Sequence, residues 1–145
     1  MPMPRKPREP CRNCGTLLPR RPRVFCGLPC QNEFAYRHFV ERWLSGNTDG
    51  TKVGGVSNHV RRYLIETLGE KCSLCSWCER NPATGRVPVE VDHVDGDSRR
   101  STLENLRLLC PNCHSLTPTF RNLNKGRGRK QRVKAQASLA QRSVQ

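Results

Sequence analysis

Nine cysteines fall in this chain of 145 residues, and eight of them form close pairs. That spacing constrains the fold more than any hydrophobic pattern does. The pairs are Cys11/Cys14, Cys26/Cys30, Cys72/Cys75 and Cys110/Cys113. Two sulfurs separated by two residues sit on a tight turn that presents both to one tetrahedral ion, and Gly15 suits such a turn. The wider Cys26/Cys30 spacing fits the first turn of a helix, where positions i and i+4 share a face. Disulfides would be the other use of paired cysteines, but they belong to oxidising compartments. The N-terminus, MPMPRKPREP, carries no apolar leader, and no run of about 18 apolar residues occurs. Secretion and membrane spanning are therefore not expected, and a cytoplasmic location is. Reduced thiols at these spacings predict two structural Zn2+ sites, one on Cys11, Cys14, Cys26 and Cys30, the other on Cys72, Cys75, Cys110 and Cys113. The run Cys72-Ser-Leu-Cys75-Ser-Trp-Cys78 also allows a pair at 75/78. One ion takes four ligands, so one sulfur is spare, and the reading adopted leaves Cys78 as a free thiol.

Metal staples suit the composition. With 34% hydrophobic and 6% aromatic residues, the chain is poor material for one large apolar core. The net charge is +14, and it is unevenly placed. No Asp or Glu follows Glu104, whereas Arg107, Arg121, Lys125, Arg127, Arg129 and Lys130 all do. A segment of one sign attracts phosphate polyanions and releases their counterions. Nucleic acid is the expected partner, contacted by these six residues; no amphipathic membrane anchor is evident.

The chain then divides into five stretches. Residues 1–10 read as a basic, proline-rich disordered arm, and 11–45 as a zinc module with a helix whose stripe is Tyr36, Phe39, Val40, Trp43 and Leu44. Residues 46–57 are glycine-rich and read as a linker. Residues 58–124 form the main domain, and 125–145 a basic tail. Within the main domain a helix begins near Ser57 and ends at Gly69. Val87, Val89 and Val91 alternate as in a half-buried strand, which would turn Glu90 and Asp92 to the other face. Leu106, Leu108 and Leu109 make a second strand, and Pro111 opens a helix running toward about Leu123. The expected class is α+β, with a strand–loop–strand–helix finger after a smaller zinc module.

The finger concentrates proton- and metal-handling groups. Asp92 and His93 are adjacent, Asn105 precedes the second strand, and His114 follows Cys113. A neutral imidazole such as His93 accepts a proton near pH 7. Asp92 and His114 would offer one oxygen and one nitrogen to a divalent ion with open positions left over. Glu90 reads as a solvated strand residue, Asn112 as a helix cap, and Asp95 and Asp97 as turn formers.

These residues, with ENLRLLCPNCHSLTPT around them, resemble the HNH endonuclease family and its ββα-metal finger. The resemblance extends over about residues 11–134, since an N-terminal four-cysteine motif, a helix ending in Trp43-x-x-Gly46 and a basic tail are similar to phage-borne members. It implies a DNA endonuclease leaving a 5′-phosphate and a 3′-hydroxyl. His93 would be the general base, Asp92 and His114 would bind catalytic Mg2+, Mn2+ or another divalent ion, and Asn105 would buttress the loop that holds the base. A bacteriophage origin, hence a host-cell cytoplasm, is also implied, with a homodimer or phage packaging proteins as further partners to consider. The rival expectation is a catalytically inactive, zinc-dependent DNA-binding or regulatory protein.

Overall fold

The computed structural model describes residues 7–20, 23–52 and 55–123. They divide into two compact units, with the boundary between Arg42 and Trp43. Among the described residues no helix is long and apolar enough to cross a membrane.

The first unit is built on a cysteine turn. Cys11 N–H donates to Thr16 O, and its carbonyl accepts from Gly15 N–H at 2.9 Å. Gly15 takes φ +75°, a left-handed conformation that a side chain would strain. Helix α1, Leu28–Leu44, starts two residues after Cys26 and holds Cys30 in its first turn. Its stripe is only partly covered. Tyr36 and Trp43 are buried, Phe39 and Val40 half-buried, and Leu44 exposed.

In the second unit, residues 46–57 depart from the expected linker. They contain an antiparallel ribbon of β1, Thr51–Lys52, and β2, Gly55–Val56. Gly50 is buried, and its carbonyl accepts from Ser57 N–H at 2.8 Å. Helix α2, Asn58–Leu68, follows with Ser57 as N-cap, its hydroxyl accepting from His59 N–H, and Gly69 at its C-terminus with φ +79°. Val60 and Leu64 are fully buried, whereas Leu68 is exposed.

The finger itself is β3, Glu90–His93, paired antiparallel with β4, Leu106–Leu109, and followed by α3, Pro111–Ser115. Its core is Leu108, Leu109, Val89 and Cys72 with α2's Val60 and Leu64. Complete burial of one such leucine contributes about 1.5–3 kcal/mol. Three expectations change. The strand begins at Glu90, not near Val87, because Pro88 cannot donate to a ladder and Val89 N–H turns back onto Val87 O. Helix α3 stops at Ser115, not near Leu123, because Pro118 disfavours helical backbone at Thr117; the chain resumes helical turns only at 121–123. The cap of α3 is Cys110, whose sulfur accepts from Cys113 N–H, not Asn112.

Candidate functional site

Both cysteine sets close in space. Cys11, Cys14, Cys26 and Cys30 place their sulfurs within 4.8 Å of one another, and so do Cys72, Cys75, Cys110 and Cys113. Individual separations are 3.6 Å for Cys14–Cys26, 3.3 Å for Cys26–Cys30 and 3.8 Å for Cys75–Cys110. A disulfide needs about 2.05 Å. Sulfurs about 2.3 Å from a tetrahedral ion lie about 3.8 Å apart, so these groups have the dimensions of a Zn2+ site. Cys78 is exposed and belongs to neither group.

The ambiguity at 72/75/78 resolves through backbone geometry. Cys72 N–H donates to Trp77 O, and Ser76 N–H donates to Cys72 O, the same two bonds made around Cys11. Ser76 stands in Gly15's place and accepts a positive φ of 61°. Ser73 N–H donates to Leu108 O, so this turn is tied directly to β4. Residues 81–86 repeat the pattern without cysteines, with Asn81 Oδ1 accepting from Ala83 and Thr84 N–H where a sulfur would otherwise sit.

Crowding splits the thiols within each group. Amide hydrogen bonds, foremost from Cys14, lower Cys11 to about 6, and the thiol of Cys30 pushes Cys26 up to about 12. At Cys72 burial opposes ionisation, but backbone N–H groups led by Cys110 prevail and bring it to about 6; contact with Cys75 raises Cys113 to about 12. Four sulfurs this close cannot all ionise without a cation among them, so metal entry must release protons.

The second cluster lies where α3 covers β3. Glu90 and Asp92 share a face of the strand, and that face meets His114 from the first turns of α3. His114 Nδ1 is 2.7 Å from Glu90 Oε2, and His114 Nε2 is 3.8 Å from Asp92 Oδ1. Phe120 packs edge-on against the same imidazole with ring centroids 5.2 Å apart. Asp92 is buried, and Arg107, its cross-strand partner in register, donates from Nε to Oδ2 at 2.8 Å. Each of these two side chains therefore has one atom engaged and one atom turned toward the other. Ligands about 2.1 Å from one ion stand about 3.0–3.4 Å apart at octahedral or tetrahedral angles, so Asp92 Oδ1 and His114 Nε2, at 3.8 Å, would close by a few tenths of an ångström on a shared divalent cation.

His93 closes β3. Its Nε2 lies 3.0 Å from Ser101 Oγ, and burial lowers its pKa against the pull of Asp92, Asp95 and Asp97, which favours the neutral imidazole. The loop beyond it is cross-braced. Asn105 is buried, donating from Nδ2 to Asp95 Oδ1 at 2.8 Å and to Arg100 O at 2.7 Å, and its Oδ1 accepts from Asp95 N–H. Asp97 is held ionised, well below the usual carboxylate range, first by the Arg99 guanidinium and then by Arg99 N–H. Asn105 thus braces the loop that follows His93.

Glu90 is exposed, as a solvated strand residue would be, and its carboxylate also reaches His114 Nδ1. Its two-residue spacing from Asp92 was the available signal, since one strand face carries both. Arg107, expected at nucleic acid, is turned inward onto Asp92 with its side chain mostly buried. Among the other basic residues, Arg121 is exposed, with its guanidinium 5.0 Å from the centre of Phe120's ring. Lys125, Arg127, Arg129 and Lys130 lie outside the described residues.

The segment that holds this strand pair and helix matches a known family. Residues 72–117 match the HNH endonuclease family model. The HNH segment contains the whole second cysteine group together with Asp92, His93, Asn105 and His114. The H-N-H endonuclease F-TflIV of Escherichia phage T5 is 45% identical over 58 residues, which are 40% of this chain and 23% of that protein. The chain thus spans about a quarter of the length of the curated relative it matches. No solved structure gives a significant match.

Proposed function

We propose that this protein is a metal-dependent DNA endonuclease that hydrolyses phosphodiester bonds through its HNH segment. The observation that carries the reading is the convergence of Asp92 Oδ1 and His114 Nε2, 3.8 Å apart, with Arg107 and Glu90 occupying their other atoms. A divalent ion held there, Mg2+, Mn2+ or another, would offset charge developing on the phosphate oxygens and the leaving 3′ oxygen. Asp92 and His114 would hold that ion. His93, at the end of the same strand, takes the proton of the attacking water. Asn105 keeps the 95–101 loop in one conformation around it. Zn2+ bound in the two cysteine groups would be structural, since four sulfurs would complete the tetrahedron and leave no open position.

The proposed layout is a zinc module over 11–45 and a nuclease domain over 58–124, flanked by basic segments at 1–10 and 125–145. Phosphate contacts from Arg121, Lys125, Arg127, Arg129 and Lys130 would position the duplex without reading its sequence. Reduced thiols suit a cytoplasmic setting.

The test is strand scission of supercoiled plasmid with added Mg2+ or Mn2+, beside a chelator control. Nicked or linear product that depends on the added ion is expected. DNA binding without breaks under every divalent ion would overturn the reading and favour a zinc-dependent DNA-binding protein. A finer prediction concerns Glu90. Its removal frees His114 to rotate and to lose the favoured tautomer. Glu90→Ala is expected to raise the divalent-ion concentration for half-maximal cleavage about 10–100-fold, with the maximal rate recovered at saturating ion.

A further inference from the structure

We infer that Ser101 is a positioning residue for His93, and that Trp43 and Gly50, outside the matched HNH segment, hold Ser101 in place. The inference rests on the nuclease reading for its consequence, but its geometry stands apart from it. Ser101 is buried, at 4% exposure, and its Oγ is 3.0 Å from His93 Nε2. A neutral imidazole has one N–H and one lone pair. If Ser101 accepts the Nε2 proton, Nδ1 keeps the lone pair and is the nitrogen that can take a proton from water. If the serine hydroxyl instead donated to Nε2, that lone pair would be occupied and Nδ1 would carry the proton, leaving no base. The proposed reaction needs the first arrangement, so Ser101 accepts.

A serine can do this only if its backbone is held still, and two residues hold it. The buried indole of Trp43 donates from Nε1 to Ser101 O at 2.6 Å across 58 residues of chain. Its ring is set by an edge contact with Tyr63 of α2, centroids 5.6 Å apart. Gly50 fills the space beside this bond so closely that a Cβ there would lie 2.6 Å from Ser101 O, 2.7 Å from Trp43 Nε1 and 3.1 Å from Ser101 Cβ. Gly50 is in turn pinned by Ser57 N–H, the helix-capping serine of α2. Asn105 reaches the same loop through Arg100 O. The stretch that looks like a spacer is thus one wall of the base's support. This also gives a physical reason for a glycine at position 50, where no positive φ demands one.

The experiment uses the full-length, zinc-loaded chain with histidine ring nitrogens labelled. In the unaltered protein NMR is expected to show His93 as the Nε2–H tautomer, with that proton protected from solvent exchange and close to the Ser101 β protons. Ser101→Ala should lose the protected proton, and Ser101→Thr, which keeps the hydroxyl, should retain it. Gly50→Ala should weaken the protection with the Ser101 side chain untouched, because the added methyl displaces the brace. In cleavage assays Ser101→Ala is expected to lower kcat about 100-fold with KM little changed, as for a misplaced reacting group, and Ser101→Thr to restore most of it. A Nδ1–H tautomer in the unaltered protein, or a protected proton that survives in Ser101→Ala, would overturn the inference. Because the NMR readout needs no cleavage, an intact His93–Ser101 bond in a protein that never cuts DNA would instead remove only the nuclease reading.

Discussion

His93→Ala is expected to lower the single-turnover rate of DNA cleavage by about 10²–10⁴-fold, the usual contribution of a positioned general base. The loss should come with unchanged zinc content and nearly unchanged thermal stability. Among the described residues the imidazole's side-chain hydrogen-bond partner is the Ser101 hydroxyl, so truncation leaves one buried hydroxyl short of a hydrogen bond, at a cost of about 1 kcal/mol. The backbone of residue 93, which accepts from Gly96 N–H and pairs with Leu106, is unaffected by the substitution. Full activity in His93→Ala would remove His93 as the base. A loss of folding alongside activity would point to a structural role, which metal analysis and a melting curve of the same preparation would reveal.

Cys110→Ser is expected to have the largest effect on stability. Cys110 is 4% exposed and serves three purposes at once. Its sulfur belongs to the second four-thiol group, it caps α3 through Cys113 N–H, and it packs against Cys72 and Leu109 with Trp77 over them. A serine hydroxyl could still cap the helix, so the difference reports the metal. Structural Zn2+ supplies about 10–16 kcal/mol of apparent binding free energy, comparable with the whole stability of a small domain at about 5–15 kcal/mol. The variant should bind one zinc equivalent fewer per chain and lose the dispersed NMR signals of the finger. Cys78→Ser is the matched control, since Cys78 is exposed and outside the group. A folded Cys110→Ser protein with its zinc content intact would sink the assignment.

Cysteine spacing made the two metal groups legible because a tight turn between paired sulfurs is a local property, requiring no knowledge of the rest of the fold. The pairing of Cys72/Cys75 with Cys110/Cys113 is long-range, but the demand for four ligands left little else to choose. The choice of 72/75 over 75/78 was not local, since it rests on how the turn hydrogen-bonds to itself and to Leu108. The α2 boundaries were also legible, because Ser57 and Gly69 are end signals that act through their own backbone. Helix α3 ends at Ser115, short of the expected end near Leu123, since Pro118 prevents its continuation.

The acid–histidine cluster was readable as a set of residue types and unreadable as a set of partners. Which face of β3 meets α3 depends on the register of the strand pair and on the docking of the helix; alternation alone puts Glu90 and Asp92 on one face without saying that His114 meets it. The same tertiary choice draws Arg107 onto Asp92 instead of outward. Residues 45–57 carried only the polar, glycine-rich composition of a spacer, which a buried brace and a loop share. Order there comes from Trp43 and Ser101, 58 positions apart, meeting over Gly50. Chemistry that depends on side-chain identity and close spacing was thus present in the linear chain. The orientation of each ionisable atom, which oxygen of Asp92 and which nitrogen of His93 or His114 is left available, was decided only when distant segments packed, because hydrogen-bond direction is a property of the assembled neighbours.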